Sequence, residues 1–177
     1  MLLITALKKI YRFLRHNVRT EFNRDLPFQE LLNNRWERAK ELGFGEGTSI
    51  YEESYVFGTV KVGKRTWVGP GTVLDGSGRL EIGDCCSVSA GVHIYTHDSV
   101  EWAISDGRAE YDRAPVKIGN GCYIGPHSVI AKGVTIGDHC VVGALSFVDQ
   151  DVPSYTKVAG CPARKIGEVD RPPEEKK

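Results

Sequence analysis

No apolar run in this 177-residue chain is long enough to cross a bilayer. The longest one near the start, LLITAL, falls far short of the roughly 20 residues a membrane helix needs. Charges follow it at once and no small-residue cleavage site is evident, so it does not read as a secretory leader. The expected location is therefore cytoplasmic. Excess charge of either sign is lacking too: 23 basic and 23 acidic side chains cancel, which argues against a field that gathers nucleic acid. There is no CxxC pair, and the five cysteines are an odd number. Neither a disulfide framework nor a structural zinc site is expected, and no metal is assigned.

A strict six-residue period is present instead. Ile118, Ile124, Ile130, Ile136, Val142 and Val148 stand six apart. A small residue follows nearly all of them (Gly119, Gly125, Ala131, Gly137 and Gly143), with Asp149 the exception. Another compact residue lies two places before each: Val116, Cys122, Ser128, Val134, Cys140 and Ser146. A helix would spread residues six apart around its cylinder, whereas a strand puts both members of each pair on one face. A repeat this short cannot bury its own apolar face, so it must stack on copies of itself.

The period starts earlier, at Ile50, Val56, Val62, Val68 and Leu74. It slips by two through DGSG, which reads as an extended corner, and resumes at Ile82, Val88 and Ile94. Three hexads to a coil give about five coils, a prism only about 25 Å tall at the usual strand spacing. Cys86, Cys122 and Cys140 fall on the inward compact position and read as buried thiols acting as small hydrophobes. Between Ile94 and Ile118 the pattern vanishes across THDSVEWAISDGRAEYDRAP. A coil that suspends its repeat and then resumes it has extruded a loop, here residues 96–115, and loops on rigid scaffolds are where function concentrates.

Ahead of the prism, residues 1–20 read as a basic amphipathic helix, with Leu3, Leu7, Ile10, Leu14 and Val18 at helical spacing and Lys8, Lys9, Arg12, Arg15 and Arg19 among them. Such a helix suits either an anionic membrane surface or packing on its own protein or a neighbouring subunit. A second helix is signalled by Asp25 as cap, Pro27 in the first turn, and Phe28, Leu31, Leu32, Trp36 and Ala39 on one stripe. Residues 1–45 then form an α-helical extension rather than a domain, residues 46–168 the repeat domain, and residues 169–177 a frayed tail.

The hexads, the loop opening IYTHD and the ending VTIGDHCVVGALSFVDQDVP…VAGCPARKI resemble the hexapeptide-repeat acyltransferases. That family includes the galactoside, maltose, serine and nucleotide-sugar acetyltransferases. The resemblance covers about residues 46–168. It implies an all-β, left-handed parallel β-helix, a homotrimer, and acetyl coenzyme A held between neighbouring prisms. His97 matches the family's general base on the acceptor. Imidazole titrates near neutrality and can take the proton of a hydroxyl as it attacks a thioester. Asp98, Glu101 and Asp106 are all candidates to orient the ring, and the residues do not choose among them. Tyr95, Glu101 and Trp102 are the expected acceptor contacts, with Trp102 equally suited to anchoring its loop. Carried over by position, Gly125 and Ala144 would admit the pantetheine arm, and Arg164 and Lys165 would meet the nucleotide phosphates. Two departures stand out: Asp149-Gln150 where many relatives have Thr-Lys, and Gly71 where the galactoside group has an asparagine, which makes a simple galactoside an unexpected acceptor.

The expected activity is transfer of an acetyl group to a hydroxyl of a saccharide or nucleotide sugar. Nitrogen acylation of an amino sugar is the alternative. A non-catalytic structural β-helix is the rival of another class, but it would show ranks of outward threonines. Here the outward residues, such as Lys61, Trp67, Glu81 and His93, are mixed.

Overall fold

A computed structural model describes residues 2–170. The hexads fold as stacked coils with three parallel β-faces, the left-handed parallel β-helix that the resemblance implies. On the first face the rungs run from Ser49–Ile50 through Trp67–Val68, Ser87–Val88, Tyr123–Ile124 and Val141–Val142 to Thr156–Ala159. The second face stacks Val56 on Leu74, Ile94, Ile130 and Val148. On the third, Val62, Ile82, Ile118 and Ile136 stack, and a single bridge adds Val152. The prism thus has five closed coils and the first side of a sixth. Each aliphatic of the period points inward: Ile50, Val68, Leu74, Val88, Ile94, Ile124 and Ile130 are fully buried.

The compact inward residues answer the carbonyls exposed where the chain turns. Thr48 and Thr66 donate from Oγ1 to the Gly63 and Gly83 carbonyls at 2.6 and 2.9 Å. Further along the same column the thiols of Cys86, Cys122 and Cys140 point at the carbonyls of Gly119, Gly137 and Pro153 at 3.0–3.1 Å. All three thiols are unbonded to other sulfurs and buried, as the repeat register implies, while Cys85 and Cys161 are exposed. Burial pushes the Cys140 thiol up from its ordinary value, which suits a packing role rather than a nucleophile.

The DGSG slip is a corner without a break. Val73–Ile82 runs as one ten-residue strand through it, paired with Tyr55–Val62. The end of the prism is covered by Arg164–Glu168, which folds back antiparallel on Thr156–Ala159. The Val169 N–H donates to the Tyr155 carbonyl at 2.7 Å, so residue 169, expected to open a frayed tail, is tied to the prism; residues 171–177 of that expected tail lie outside the described residues.

Three helices precede the prism: α1 (Leu2–Phe22), α2 (Phe28–Leu32) and α3 (Arg35–Glu41). The single second helix expected from Asp25 onward is in fact two. Asn33 and Asn34 adopt extended backbone, and the Asn34 side chain caps α3 by accepting from the N–H groups of Trp36 and Glu37, the local hydrogen bonding for which Asn is favoured at such positions. Asp25 does not cap; it pairs with Arg15 and Arg19 of α1. Pro27 precedes α2 instead of sitting in its first turn. Of the expected apolar stripe only Ala39 is fully buried, while Phe28, Leu32 and Trp36 remain exposed. Charged groups fasten this segment to the first coil. Glu30 is buried and accepts the N–H groups of Glu52 and Glu53, and Arg38 reaches the carbonyls of Tyr51 and Ser54.

Candidate active site

The interruption of the repeat sits at the corner between the second and third faces. Ile94 ends the second face of the third coil, and Val116–Ile118 begins its third face. The chain between them leaves the prism, forms a short helix α4 (Val100–Ile104) and returns. Its two limbs, His97–Asp98 and Asp112–Arg113, pair antiparallel, and the Ala114 N–H donates to the Thr96 carbonyl at 3.0 Å. The extrusion read from the sequence is therefore a hairpin capped by a helical turn, and its first limb carries His97.

Directly below, on the second coil, the same corner holds Asp75. Its carboxylate is almost fully buried. Oδ1 accepts from the Ser77 N–H and hydroxyl at 3.0 and 2.6 Å. Oδ2 accepts from the Thr96 N–H at 2.8 Å and lies 2.7 Å from His97 Nδ1. Thr96 Oγ1 is itself 2.9 Å from the Asp75 carbonyl oxygen and accepts the Gly78 N–H at 2.7 Å. Burial alone would raise the Asp75 carboxyl, but the hydrogen bonds from Ser77, Thr96 and His97 outweigh it and hold the group well below the usual carboxylate range. An ionised, acceptor-only oxygen facing Nδ1 requires a proton on that nitrogen, which assigns the Nδ1–H tautomer and leaves Nε2 as the basic atom of a neutral ring.

None of the three carboxylates considered from sequence orients the ring. Asp98 faces Lys132 instead: Lys132 Nζ on the fourth coil lies 2.9 Å from Asp98 Oδ2 and 2.7 Å from Asp112 Oδ2, joining both limbs of the hairpin to the prism. That hydrogen bond from Lys132 holds Asp98 below its ordinary value. Asp98 also accepts the Val100 N–H at 3.1 Å, at the start of α4. Glu101 is exposed on α4, and Asp106 pairs with Arg108 at 3.6 Å.

The aromatic groups sort into two sets. Tyr111, which the sequence reading passed over, lies parallel to the His97 imidazole at 6.0 Å between centroids, and Trp102 meets Tyr111 edge-on at 5.8 Å. Tyr95 pairs with His93, its hydroxyl 3.2 Å from His93 Nδ1 and its ring edge-on to the imidazole. Trp102 and Tyr95 therefore do not pair with each other; each belongs to its own edge-on pair.

The residues expected to meet a cofactor lie further along the prism. Gly125 and Ala144 occupy one corner on successive coils, and a Cβ on Gly125 would stand 2.6 Å from the Ala144 nitrogen, so only glycine fits there. Arg164 and Lys165 lie on the terminal antiparallel strand, where they line a cavity of about 620 Å³ with Gln150, Asp151, Tyr155 and Thr156. Arg164 stands 3.7 Å from Asp149, and Lys165 pairs with Glu168 at 2.8 Å. Among the described residues no group of three or more His, Cys, Asp or Glu is placed to hold a metal ion.

Residues 115–150 match the family model described as bacterial transferase hexapeptide (six repeats). The chain is 30% identical over 129 residues to the galactoside O-acetyltransferase of Escherichia coli strain K12, an alignment covering 62% of this chain and 64% of that protein. It is 39% identical over 92 residues to protein CapG of Staphylococcus aureus, covering 51% of this chain and 54% of that one. The chain thus spans about half to just under two thirds of these relatives' lengths. Among solved structures, a hexapeptide-repeat-containing acetyltransferase of Vibrio cholerae O1 biovar eltor, complexed with acetyl coenzyme A, superposes with a TM-score of 0.68 at 29% identity, over 92% of this chain and 89% of that one.

Proposed function

The chain belongs to the hexapeptide-repeat transferases, and on that premise we propose that it moves an acetyl group from acetyl coenzyme A to a hydroxyl of a saccharide or nucleotide sugar, with His97 as general base. The observation that carries this reading is the 2.7 Å contact between His97 Nδ1 and the buried Asp75 carboxylate. A solvated loop histidine needs no such partner. A base does: the carboxylate fixes the tautomer, aims Nε2 and stabilises the imidazolium as it forms.

The acceptor hydroxyl gives its proton to Nε2 while its oxygen attacks the thioester carbonyl. The tetrahedral oxyanion that results needs N–H donors, which corners of the prism can supply. Collapse breaks the carbon–sulfur bond, and the imidazolium returns the proton to the leaving thiolate. The new bond is an ester, and the histidine ends as it began. Trp102 and Tyr111, with Tyr95 and Glu101 nearby in the chain, give the acceptor ring an aromatic and polar surround. Gly125 and Ala144 leave a narrow corner of backbone amides for the pantetheine arm. Arg164 and Lys165 offer cations to the nucleotide phosphates. The chain works as a homotrimer in this reading, with the donor in the groove between two prisms and the location cytoplasmic.

The test is turnover of acetyl coenzyme A against sugar acceptors that present either a free hydroxyl or a free amine. Loss of hydroxyl acetylation in His97→Gln, with the fold intact by circular dichroism, is the expected result. An unprotonated amine needs less help from a base, so an amine acceptor whose acylation survives His97→Ala would move the assignment to nitrogen. Unchanged hydroxyl acetylation in both variants would remove His97 from the chemistry. Absence of any acyl transfer, with no thermal stabilisation by acetyl coenzyme A, would leave the structural β-helix as the reading.

A further inference from the structure

Helix α1 is rich in apolar side chains, yet none of its residues is buried. Leu3 is 74% exposed and Leu7 51%, and Ile4, Ile10 and Phe13 are also more than half exposed. At 100° per residue, Leu3, Leu7, Ile10, Leu14 and Val18 share one stripe, whereas Lys8, Lys9, Arg12, Arg15 and Arg19 fall in an arc of about 120° on the other side. No acidic residue precedes Glu21. The second half of the helix is held to the protein. Tyr11 meets Phe28 edge-on at 5.7 Å, Arg15 and Arg19 pair with Asp25, and Val18 and Phe22 line a cavity of about 380 Å³ with Leu26, Leu31 and Trp36. Toward its start, Leu2, Leu3, Ile4, Leu7 and Ile10 are all more than half exposed.

The charge pattern chooses among the occupants of this face. A second copy of α1 packed stripe to stripe would cover the apolar residues but leave Lys8, Lys9 and Arg12 on the far sides of both helices, with no carboxylate on either helix before Glu21 to answer them. An anionic bilayer answers both halves of the surface at once. The acyl boundary takes the stripe, the headgroup phosphates take the cations, and lysine and arginine stems reach from one to the other. No helix among the described residues is long and apolar enough to cross a membrane, so the helix would lie in the interface.

We propose that α1 docks on an anionic lipid surface, with Leu3, Leu7 and Ile10 at the acyl boundary and Lys8, Lys9 and Arg12 among the phosphates, holding the prism beside the membrane. The test uses the full chain with sedimented vesicles of phosphatidylcholine alone or mixed with phosphatidylglycerol. Binding to the mixed vesicles, weakened by added salt and much weaker on phosphatidylcholine alone, is expected. Lys8→Gln/Lys9→Gln/Arg12→Gln should weaken it about a hundredfold, given the usual worth of each cation at an anionic surface, and Leu7→Glu/Ile10→Glu should abolish it. Because these side chains are exposed, thermal unfolding of both variants should match the parent chain. Failure of the parent chain to sediment with mixed vesicles overturns the proposal. So does a Leu7→Glu/Ile10→Glu variant whose only change is a smaller oligomer in analytical ultracentrifugation, since the stripe would then be covered by another copy.

Discussion

The third and fourth coils turn the same corner in opposite ways. On the fourth coil the chain passes from Ile130 to Val134 through Ala131, Lys132 and Gly133 and keeps the period. On the third coil the corresponding passage runs from Ile94 to Val116 and carries a hairpin, a helical turn, three aromatic rings and the histidine. The rungs on either side are in identical register: Ile94 stacks on Ile130, and Ile118 on Ile136. On the proposed reading, stability and chemistry are thus separated along a single coil. Aliphatics in fixed register hold the prism, while the interrupted corner is free to carry groups that contribute little to it. Substitutions on the two sides of this division should have opposite signatures.

The widest separation is expected from His97→Ala set against Ile130→Ala. His97 is about one third exposed, so its truncation should leave the melting temperature within a degree or two while kcat falls about a thousandfold, the usual worth of a positioned base. Ile130 is fully buried between coils. Its truncation should cost about 3 kcal/mol of folding stability through lost burial and an unfilled cavity. Acetyl transfer measured well below the new melting temperature should stay near normal. A His97→Ala protein that melts much earlier, or an Ile130→Ala protein that folds fully but is inactive, would break the division.

Asp75 belongs to both sides, because it is part of the second coil yet serves the loop of the third. Asp75→Asn keeps the shape but removes the charge and sets an amide N–H among groups that all donate to the carboxylate. A loss of about 1–3 kcal/mol of stability is expected from the unsatisfied donors, with kcat falling about a hundredfold as the imidazolium loses its counter-charge. The pH dependence sharpens the assignment. The folded-state carboxyl titrates below its unfolded counterpart, so its contribution is complete above about pH 4 and is lost as the pH falls toward the folded value. Melting temperatures of wild type and Asp75→Asn should therefore differ most at neutral pH and converge in acid. A gap that widens in acid would mean the carboxyl is protonated in the folded protein.

The rungs were legible in the sequence because a period of six keeps each aliphatic on one strand face, which only stacking on further copies can bury. Asp75 was not, although two signals were present: it opens the DGSG slip, and it follows Leu74 as Tyr95 follows Ile94, its partner on the next coil. Its meeting with His97 spans 22 residues and depends on coil length, whereas Asp98, Glu101 and Asp106 were proposed on closeness in sequence. Tyr111 was missed for a related reason. The loop carries no repeat, so only the pairing of His97 with Arg113 brings the second limb, and with it Tyr111, beside the imidazole. The break between α2 and α3 was hidden because Asn33-Asn34 can sit in a helix, even though Asn is also a preferred cap.

The smallest effect expected is at Lys132, where the regular corner reaches across to the irregular one. Its ammonium lies within hydrogen-bonding distance of Asp98 and Asp112, one on each limb of the hairpin, so it fixes the angle at which the limb bearing His97 leaves the prism. It touches neither the imidazole nor Asp75, and a misplacement of about 1 Å at a base costs rate rather than affinity. Lys132→Met keeps the length of the side chain and discards the charge. We expect kcat to fall about tenfold, with KM for acetyl coenzyme A and the melting temperature unchanged, and Lys132→Arg to restore most of the rate because it can still bridge two carboxylates. A rise in KM with kcat intact would assign Lys132 to donor binding. An unchanged kcat in Lys132→Met would mean that Asp75 and the paired limbs hold the histidine unaided.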